Sequence, residues 1–226
     1  MKQICKFNTR PATINNGGHK KGHWIVWLNL QVSEIEQLSE NQDEHFQAIT
    51  ERLVLADRSI SAFLDAVDSA HIAEATSEEL ESILRFFQSE NDVEAWKAIR
   101  KMQIQGYDNS EKVNLFYLDG LALWLDKATR VGLVNSITIE KKAKRGTTCL
   151  WFGSHSVNVN VDVALEILSQ LELYAHECYN VTAQHLAQID KCSTVEALRA
   201  FDVCADYPEI LQLKKCRIKL GFDTMP

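Results

Sequence analysis

The chain has 226 residues and a formal net charge of −7, with 46% hydrophobic and 24% charged residues. This composition is typical of a folded globular protein and excludes a wholly disordered chain. No apolar run approaches the roughly 18–20 residues that a membrane-spanning helix needs, and the first residues lack the apolar core of a signal peptide. We therefore expect a protein that stays in the cytoplasm or is built into a particle assembled there, with no membrane partner.

Charge is distributed unevenly along the chain. Residues 1–32 carry five Lys or Arg and no acid, whereas residues 33–100 carry sixteen acids against five bases. A general nucleic-acid binder needs a continuous basic face, which this distribution does not provide. A basic segment followed by an acidic one fits a chain that assembles through complementary charges about as well as it fits helices with solvated charged faces. Nucleic acid is therefore not an expected partner.

Residues 1–32 predict a β-hairpin or paired arm. Two apolar runs, residues 3–8 and 23–30, flank an Asn-Asn-Gly-Gly turn signal. Residues 24–28 are apolar on both faces, so this strand needs cover on both sides, from its own chain or from a partner. The sequence favours a core strand over an interface strand. The candidate interaction residues of this arm are Trp24, Trp27, Lys20 and Lys21.

Residues 33–105 predict an acidic helical segment without Pro or Gly. Capping boxes start at Ser33 and Thr76, with Glu36 and Glu79 three residues further on. Four apolar stripes follow helical spacing, and we expect each to face a core. They are Phe46, Ile49 and Leu53; Ile60, Phe63, Leu64 and Val67; Leu80, Ile83, Leu84 and Phe87; and Val93, Trp96 and Ile99. The run from Gly106 to Ser110 breaks this pattern and marks the expected domain boundary.

Residues 106–213 predict a ββα unit that is used twice. Apolar runs at 113–118 and 121–125 precede a helix start at Asp126, and runs at 148–152 and 157–161 precede a second start thirty-six residues later. The pattern predicts an α+β fold, with one four-stranded antiparallel sheet that carries both helices on one face.

Particular residues of the doubled unit have structural roles in this prediction. Asp126 and Asp162 are expected as helix N-caps rather than as a catalytic carboxylate pair. Trp124 and Trp151 are expected to be buried in strands that face the helices.

The chain after the second unit predicts short elements. The long helix is expected to stop at Asn180, with another helix over residues 182–189. A capping box at Ser193 and Glu196 starts a short helix, and residues 211–213 add a strand. Residues 214–226 form a basic tail.

A basic cluster separates the two copies of the unit. Lys141, Lys142, Lys144 and Arg145 are candidate interaction residues, because four positive charges in five residues can contact an anionic group. The favoured interpretation is structural: basic side chains at the C-terminal end of a helix complement its dipole, with Gly146 as the cap.

Sequence motifs for catalysis and metal binding are missing. The chain has no dinucleotide-binding, P-loop, zinc-protease or nucleophile-elbow motif. Six scattered cysteines predict free thiols rather than a disulfide framework. A zinc site built from His176, Cys178, His185 and Cys192 is disfavoured, because structural zinc usually has paired close ligands. We expect no cofactor, no metal and no catalysis.

Several distinctive blocks follow one another in order between residues 107 and 213. The blocks are Tyr107-Asp108-x-Ser110-x-x-Val113-Asn114; Trp124 to Arg130; Leu150-Trp151-Phe152-Gly153; Leu171 to Ala175; Cys178 to Ala183 with His185; Thr194 to Leu198; and Phe201-Asp202-Val203 with Tyr207-Pro208. This series resembles an uncharacterised domain family of phages and prophages of Bacteroides-type hosts, encoded near tail and tail-fibre genes. The resemblance covers nearly half of the chain and implies a virion- or tail-associated, non-enzymatic protein. It assigns no binding residues, and residues 1–105 lie outside it.

Three hypotheses for function follow. The first is a structural or accessory phage tail protein that acts through protein–protein contacts, located in the virion or in the host cytoplasm during assembly, with tail proteins, tail-fibre proteins or a second copy as partners. The second is a tail-fibre assembly chaperone that is absent from the mature virion. The third is an enzyme with an unrecognised site of dispersed residues around His155.

Overall fold

A computed structural model describes residues 2–16, 23–34, 46–55, 60–153 and 155–213. The fold class is α+β, as expected. The chain divides into two compact units: the first comprises residues 1–107 and 184–204, and the second comprises residues 108–183 and 205–226. Lys20, Lys21, Glu36 and the tail after residue 213 lie outside the described residues.

The first unit contains a four-stranded antiparallel sheet. Its strands are β1 (Lys2–Phe7), β2 (Ile14–Asn16), β3 (Trp24–Glu34) and β4 (Phe46–Leu55), in the order β1-β4-β3-β2. The strands expected near residues 3–8 and 23–30 are present, but they do not pair with each other. β3 forms its hairpin with β2, and β1 pairs with β4. The apolar strand β3 is therefore internal to the sheet.

The prediction of a helix over Phe46, Ile49 and Leu53 is wrong, because these residues belong to β4. The spacing i, i+3 and i+7 is ambiguous in a short apolar run. β-branched residues and two neighbouring strands decide the outcome, since β4 pairs with β3 along its length and with β1 over residues 46–51. The capping box expected at Ser33 is also wrong, because Ser33 lies within β3.

Four helices follow in the first unit: α1 (Ile60–Ala66), α2 (Ser69–Glu74), α3 (Ser77–Phe86) and α4 (Val93–Asp108). The capping box at Thr76 is confirmed: its hydroxyl accepts from the Glu79 N–H, and Glu79 Oε2 accepts from the Thr76 N–H at 2.8 Å. The other oxygen of Glu79 accepts from the Leu30 N–H at 2.8 Å. That hydrogen bond connects α3 to β3 at the point where the register between β3 and β4 shifts.

Gly106 is not a helix breaker, because it lies inside α4. A Cβ atom at Gly106 would overlap the carbonyl oxygen of Ser69 and would lie 2.5 Å from the Cβ of Ala73. The glycine therefore permits a close approach of α4 to α2.

The second unit repeats the predicted element order but not the predicted sheet. Its strands are β5 (Phe116–Leu118), β6 (Leu121–Leu123), β7 (Thr147–Phe152) and β8 (His155–Asn160). The expected four-stranded sheet is not confirmed: β7 and β8 form a separate two-stranded sheet. β5 pairs on one side with β6 and on the other with the parallel strand β9 (Leu211–Leu213), so neither of its edges is left for β7 or β8. The duplication is therefore one of element order alone.

The second unit also contains the long helix α5 (Lys127–Lys142) and residues 161–183 of the long helix α6 (Val161–Lys191), whose remaining residues belong to the first unit. α5 has Asp126 as its N-cap, as predicted, whose carboxylate accepts from the Thr129 N–H. α6 begins before Asp162, so Asp162 is not its N-cap; Asn160 Oδ1 accepts from the Asp162 N–H at 2.8 Å instead. α6 also continues through Asn180, where a stop was expected: the lack of Pro and Gly in its 31 residues permits the continuation, and the hydrogen bond from Thr182 to Asp108 holds the helix beyond Asn180.

The short helix α7 (Val195–Ala200) follows α6 and belongs to the first unit. Its N-cap is Thr194 rather than Ser193. Arg100 of α4 is buried and donates to the carbonyl oxygens of Leu198 and Arg199, each at 2.7 Å. The guanidinium thereby satisfies carbonyls at the C-terminal end of α7.

Candidate binding groove

A groove of about 510 Å³ lies in the second unit, against the first turn of α5 and the middle of α6. Its volume is within the range of small-molecule sites. The lining combines two aromatic rings with charged and amide side chains: Asp108, Val113, Asn114, Trp124, Asp126, Lys127, Arg130, Glu172, Ala175, His176, Cys178 and Tyr179.

Arg130 is the most constrained polar residue of this groove. Its side chain is 6% exposed. Nε donates to Glu172 Oε2 at 2.7 Å, and Nη1 donates to the carbonyl oxygen of Leu125 at 2.7 Å. The guanidinium lies over the Trp124 ring, 5.4 Å from its centroid. Among the described residues, Nη2 has no hydrogen-bond partner, so its two N–H groups remain available in the groove.

The start of α5 is held by its own capping interactions. The two carboxylate oxygens of Asp126 accept from the Thr129 N–H at 2.9 Å and from the Thr129 hydroxyl at 2.6 Å. These two hydrogen bonds, that of the side chain first, hold the pKa of Asp126 below its ordinary value. Because the cap fixes the first turn, Lys127 and Arg130 have defined positions at the rim and in the wall.

A partly buried hydrogen-bond network surrounds Asp108, another residue of the lining. Asp108 Oδ1 accepts from the Thr182 hydroxyl at 2.7 Å, and that hydroxyl also lies 2.8 Å from the hydroxyl of Tyr207. Asn114 Nδ2 donates to the carbonyl oxygens of Asp108 and Ser110. This network orders the segment between α4 and β5, which lines the groove.

Cys178 is the one thiol that lines the groove, and its surroundings oppose nucleophilic chemistry. Burial raises the pKa of the Cys178 thiol, and the charges of Asp108 and Glu177 raise it further against a hydrogen bond with Tyr174. A thiol with a raised pKa is protonated at neutral pH, and the thiolate is the reactive form. Cys178 is therefore poorly suited to act as a thiolate nucleophile.

The two tryptophans proposed as interaction residues lie inside the first unit. Trp27 is 6% exposed and packs edge-to-face on Phe7 at 5.5 Å. Trp24 is partly buried and packs on Phe86 at 4.5 Å. Both rings thus contact their own chain, in agreement with the favoured interpretation of a core strand.

Basic residues 141–145 sit at the C-terminal end of α5 and are exposed. Lys141 pairs with Asp162 at 2.7 Å, and Arg145 lies 3.4 Å from Glu140. Gly146 is not the cap. Lys144 adopts the left-handed conformation with φ 58°, while the N–H groups of Lys144 and Arg145 donate to the carbonyls of Lys141 and Glu140. Lys142 is exposed in the last turn and complements the helix dipole.

Two expectations about single side chains are corrected. Trp151 is 59% exposed, and Trp124 is only partly buried and lies just after β6 rather than within it. In β7 the buried positions are Leu150 and Phe152, so the alternation of side chains turns Trp151 outward. His155 is exposed at the start of β8, opposite Phe152, and does not line the groove.

α5 is unusually open for a helix of its length. Of its 16 residues, Arg130 and Ile137 are the buried ones. Val131, Val134 and Ile139 are exposed by 49%, 37% and 66%. At 100° per residue these three fall within an arc of about 140°, which begins about 40° from the buried Arg130 and extends away from the buried side. We call them the α5 apolar face.

Sequence reasoning missed Arg130, Glu172, Asp108 and Thr182 as site residues. One signal was present: Lys127 and Arg130 place two cations at the N-terminal end of a helix, where the dipole disfavours positive charge. Such cations need partners elsewhere, which Arg130 finds in Glu172 and Leu125. The partners themselves are 42 residues away or on the backbone, and no local pattern predicts them.

Comparisons with known proteins give no relative: no family model, curated protein or solved structure matches the chain. Within the described ranges, no helix is both long and apolar enough to cross a membrane. The same ranges contain no cluster of three His, Cys, Asp or Glu residues arranged to hold a metal ion.

Proposed function

We propose that the protein is a structural or accessory component of a phage tail, which acts through protein–protein contacts and does not catalyse a reaction. Its partners are tail or tail-fibre proteins, or a second copy of the chain. Its location is the virion, or the host cytoplasm while tails are assembled.

The α5 apolar face is the observation that carries the contact part of this proposal. A surface helix normally turns three or four apolar residues per two turns toward its own core, whereas α5 turns Val131, Val134 and Ile139 toward solvent. Six of its residues are β-branched, which lowers intrinsic helix propensity. A helix of this composition gains stability when a partner covers its apolar face. The phage context rests on the resemblance of residues 107–213.

Mass spectrometry of purified tails, from phage or prophage particles of the source organism, tests the location. We expect the protein in mature particles at a fixed ratio to tail proteins. Its absence from particles, together with binding to a tail-fibre protein in induced cells, would replace this proposal with an assembly chaperone.

A matched pair of variants tests the contact surface. Ile139→Lys places a charge on the α5 apolar face, and Leu173→Lys makes the same change on α6 at nearly equal exposure, 66% against 64%. We expect Ile139→Lys to reduce incorporation into tails at least about tenfold, a loss typical of a charge buried in an interface, and Leu173→Lys to leave incorporation unchanged. Equal incorporation of both variants would remove α5 as the contact.

A further inference from the structure

The groove of the second unit presents unused hydrogen-bonding groups of both kinds. Arg130 lines it with a side chain that is 94% buried and whose Nη2 donates to no described residue. Lys127, His176 and the Tyr179 hydroxyl add polar groups that form no hydrogen bond with another described residue. Asp108 and Glu172 each have one carboxylate oxygen engaged and one available. A ligand that both donates and accepts at several positions fits this set.

Formal charge in the groove disfavours simple ions. Asp108, Asp126 and Glu172 oppose Lys127 and Arg130, which leaves the lining with one more negative than positive charge. An anion would therefore meet the carboxylates without a compensating excess of cations. A cation would meet Lys127 and the Arg130 guanidinium, while two of the three carboxylates are already engaged, Glu172 in its ion pair with Arg130 and Asp126 in the cap of α5. The balance favours a ligand without net charge.

Two aromatic rings give the groove flat apolar surfaces. Tyr179 is 65% exposed, and Trp124 is partly buried with its ring fixed by the guanidinium of Arg130. The electron-rich face of such a ring attracts the polarised C–H groups of a saturated ring that carries hydroxyls. A pyranose ring combines such C–H faces with hydroxyls that both donate and accept.

We propose that this groove binds a neutral, hydroxyl-rich ligand, in the form of one or two sugar rings of a saccharide. Arg130 Nη2 and Lys127 donate to hydroxyl oxygens, Asp108 and Glu172 accept from hydroxyls, and Trp124 or Tyr179 stacks against the ring. The groove is distinct from the α5 apolar face, because Val131, Val134 and Ile139 do not line it. The inference therefore stands or falls independently of the proposed tail association.

The test follows the indole N–H resonances of the full ¹⁵N-labelled chain by NMR, with the Trp124 signal assigned from Trp124→Phe. The probes are glucose, galactose, mannose and N-acetylglucosamine, with acetate, methylammonium and triglycine as charged and peptide comparisons. We expect a saturable shift of the Trp124 signal with at least one sugar at a Kd of about 1 mM, the affinity accessible to a ligand of this size in an open groove. We expect no saturable shift with the three comparison probes.

Variants separate the groove from other aromatic surfaces. Tyr179→Ala changes an exposed ring of the groove and should weaken sugar affinity about two- to tenfold, the usual effect of one aromatic contact. Trp151→Ala removes a ring of similar exposure outside the groove and should leave the affinity unchanged. Three results would overturn the proposal: no saturable shift with any of the four sugars, a saturable shift with acetate, methylammonium or triglycine, or equal affinity of the Tyr179→Ala variant and the unaltered protein.

Discussion

At Gly106 the backbone of α4 approaches α2 so closely that no side chain fits. A methyl group there would overlap the carbonyl oxygen of Ser69, and neither backbone can move without disturbing the core around Ile72 and Ile104. We expect Gly106→Ala to lower the free energy of unfolding by about 1–3 kcal/mol, the usual cost of overpacking. Chemical denaturation measures the change.

Gly132 is the matched control, because it lies inside α5 with no atom within 4 Å of an added Cβ. Gly132→Ala should raise stability by about 0.5–1 kcal/mol, since alanine restricts the unfolded chain and favours the helix. If both alanine variants shift stability in the same direction, the close approach of α4 and α2 is not the reason for Gly106.

Lys144 is a second residue at which the backbone conformation determines how a substitution changes stability. It occupies the left-handed position after α5 with φ 58°, a conformation that costs a residue with a Cβ about 1 kcal/mol relative to glycine. We therefore expect Lys144→Gly to raise the thermal unfolding temperature. Lys142→Gly, two residues earlier and inside the helix, should lower it. A lower unfolding temperature for Lys144→Gly would show that the charge contributes more than the backbone.

At the scale of elements, the start of α5 predicts a dependence on pH. The pKa of Asp126 is lowered in the folded chain by its hydrogen bonds with Thr129. A carboxyl with a depressed folded pKa stabilises the fold above its unfolded value, near 3.8, and this contribution is lost as pH falls through the folded value. Acid should therefore weaken the N-terminal end of α5.

Asp126→Asn isolates this effect, because asparagine is an equally good N-cap and does not titrate. We expect the variant to show a smaller decrease in unfolding temperature than the unaltered protein between about pH 6 and pH 3, the range that includes the ordinary aspartate pKa. Thermal unfolding at both pH values measures the difference. Parallel decreases would show that other carboxylates account for the acid sensitivity.

The middle of α6 depends on a side-chain network rather than on local sequence signals. The Thr182 hydroxyl donates to Asp108 and contacts the Tyr207 hydroxyl, and Thr182 is 6% exposed. Thr182→Val preserves the shape of the side chain but leaves two partly buried polar groups with one partner fewer. We expect a loss of about 1–3 kcal/mol in unfolding free energy. Ser169→Ala is the control, since its hydroxyl contacts only the Leu165 carbonyl of its own helix, and a similar loss there would contradict this role of Thr182.

The starts of helices show where local sequence patterns suffice to predict structure, and α6 and β4 show where such patterns fail. The starts of α3 and α5 were predictable, because capping acts within three residues. The continuation of α6 through Asn180 was not, since its middle is held by Asp108, 74 residues away from Thr182. β4 was mistaken for a helix because its apolar residues fit both periods, and only pairing with β1 and β3 decides between them.

For the whole molecule, the sequence predicts the fold class and most helices and strands, but it does not predict which of these elements pair or pack together. The parallel strand β9 joins β5 from more than ninety residues further along the chain, and residues 184–204 return to the first unit. The candidate groove has the same character: the position of Arg130 at the start of a helix predicts that it needs a partner, but only the fold brings Glu172 beside it. Long-range pairing depends on the total burial it achieves, and no local spacing records that quantity.

Residues 1–32, the N-terminal arm, are either part of the core of the first unit or an element used for assembly, and the two roles predict opposite effects of deleting them. Val26 and Leu28 are fully buried, and β3 lies between β2 and β4. Deletion of residues 1–32 would therefore remove two strands and most of a third, and would expose the core of the first unit to water. We expect the truncated chain to lose cooperative thermal unfolding, because burial of this apolar surface stabilises the unit.

Deletion of residues 1–9 is the matched control, since it removes only the outer strand β1, whose Ile4 is already 70% exposed. The shorter deletion should lower the unfolding temperature while a cooperative transition remains, because β3 keeps both of its neighbours. Calorimetry of the two truncated chains distinguishes the cases. A chain without residues 1–32 that still unfolds cooperatively, yet no longer assembles, would show instead that the arm is an assembly element, because a core strand cannot be removed without loss of the fold.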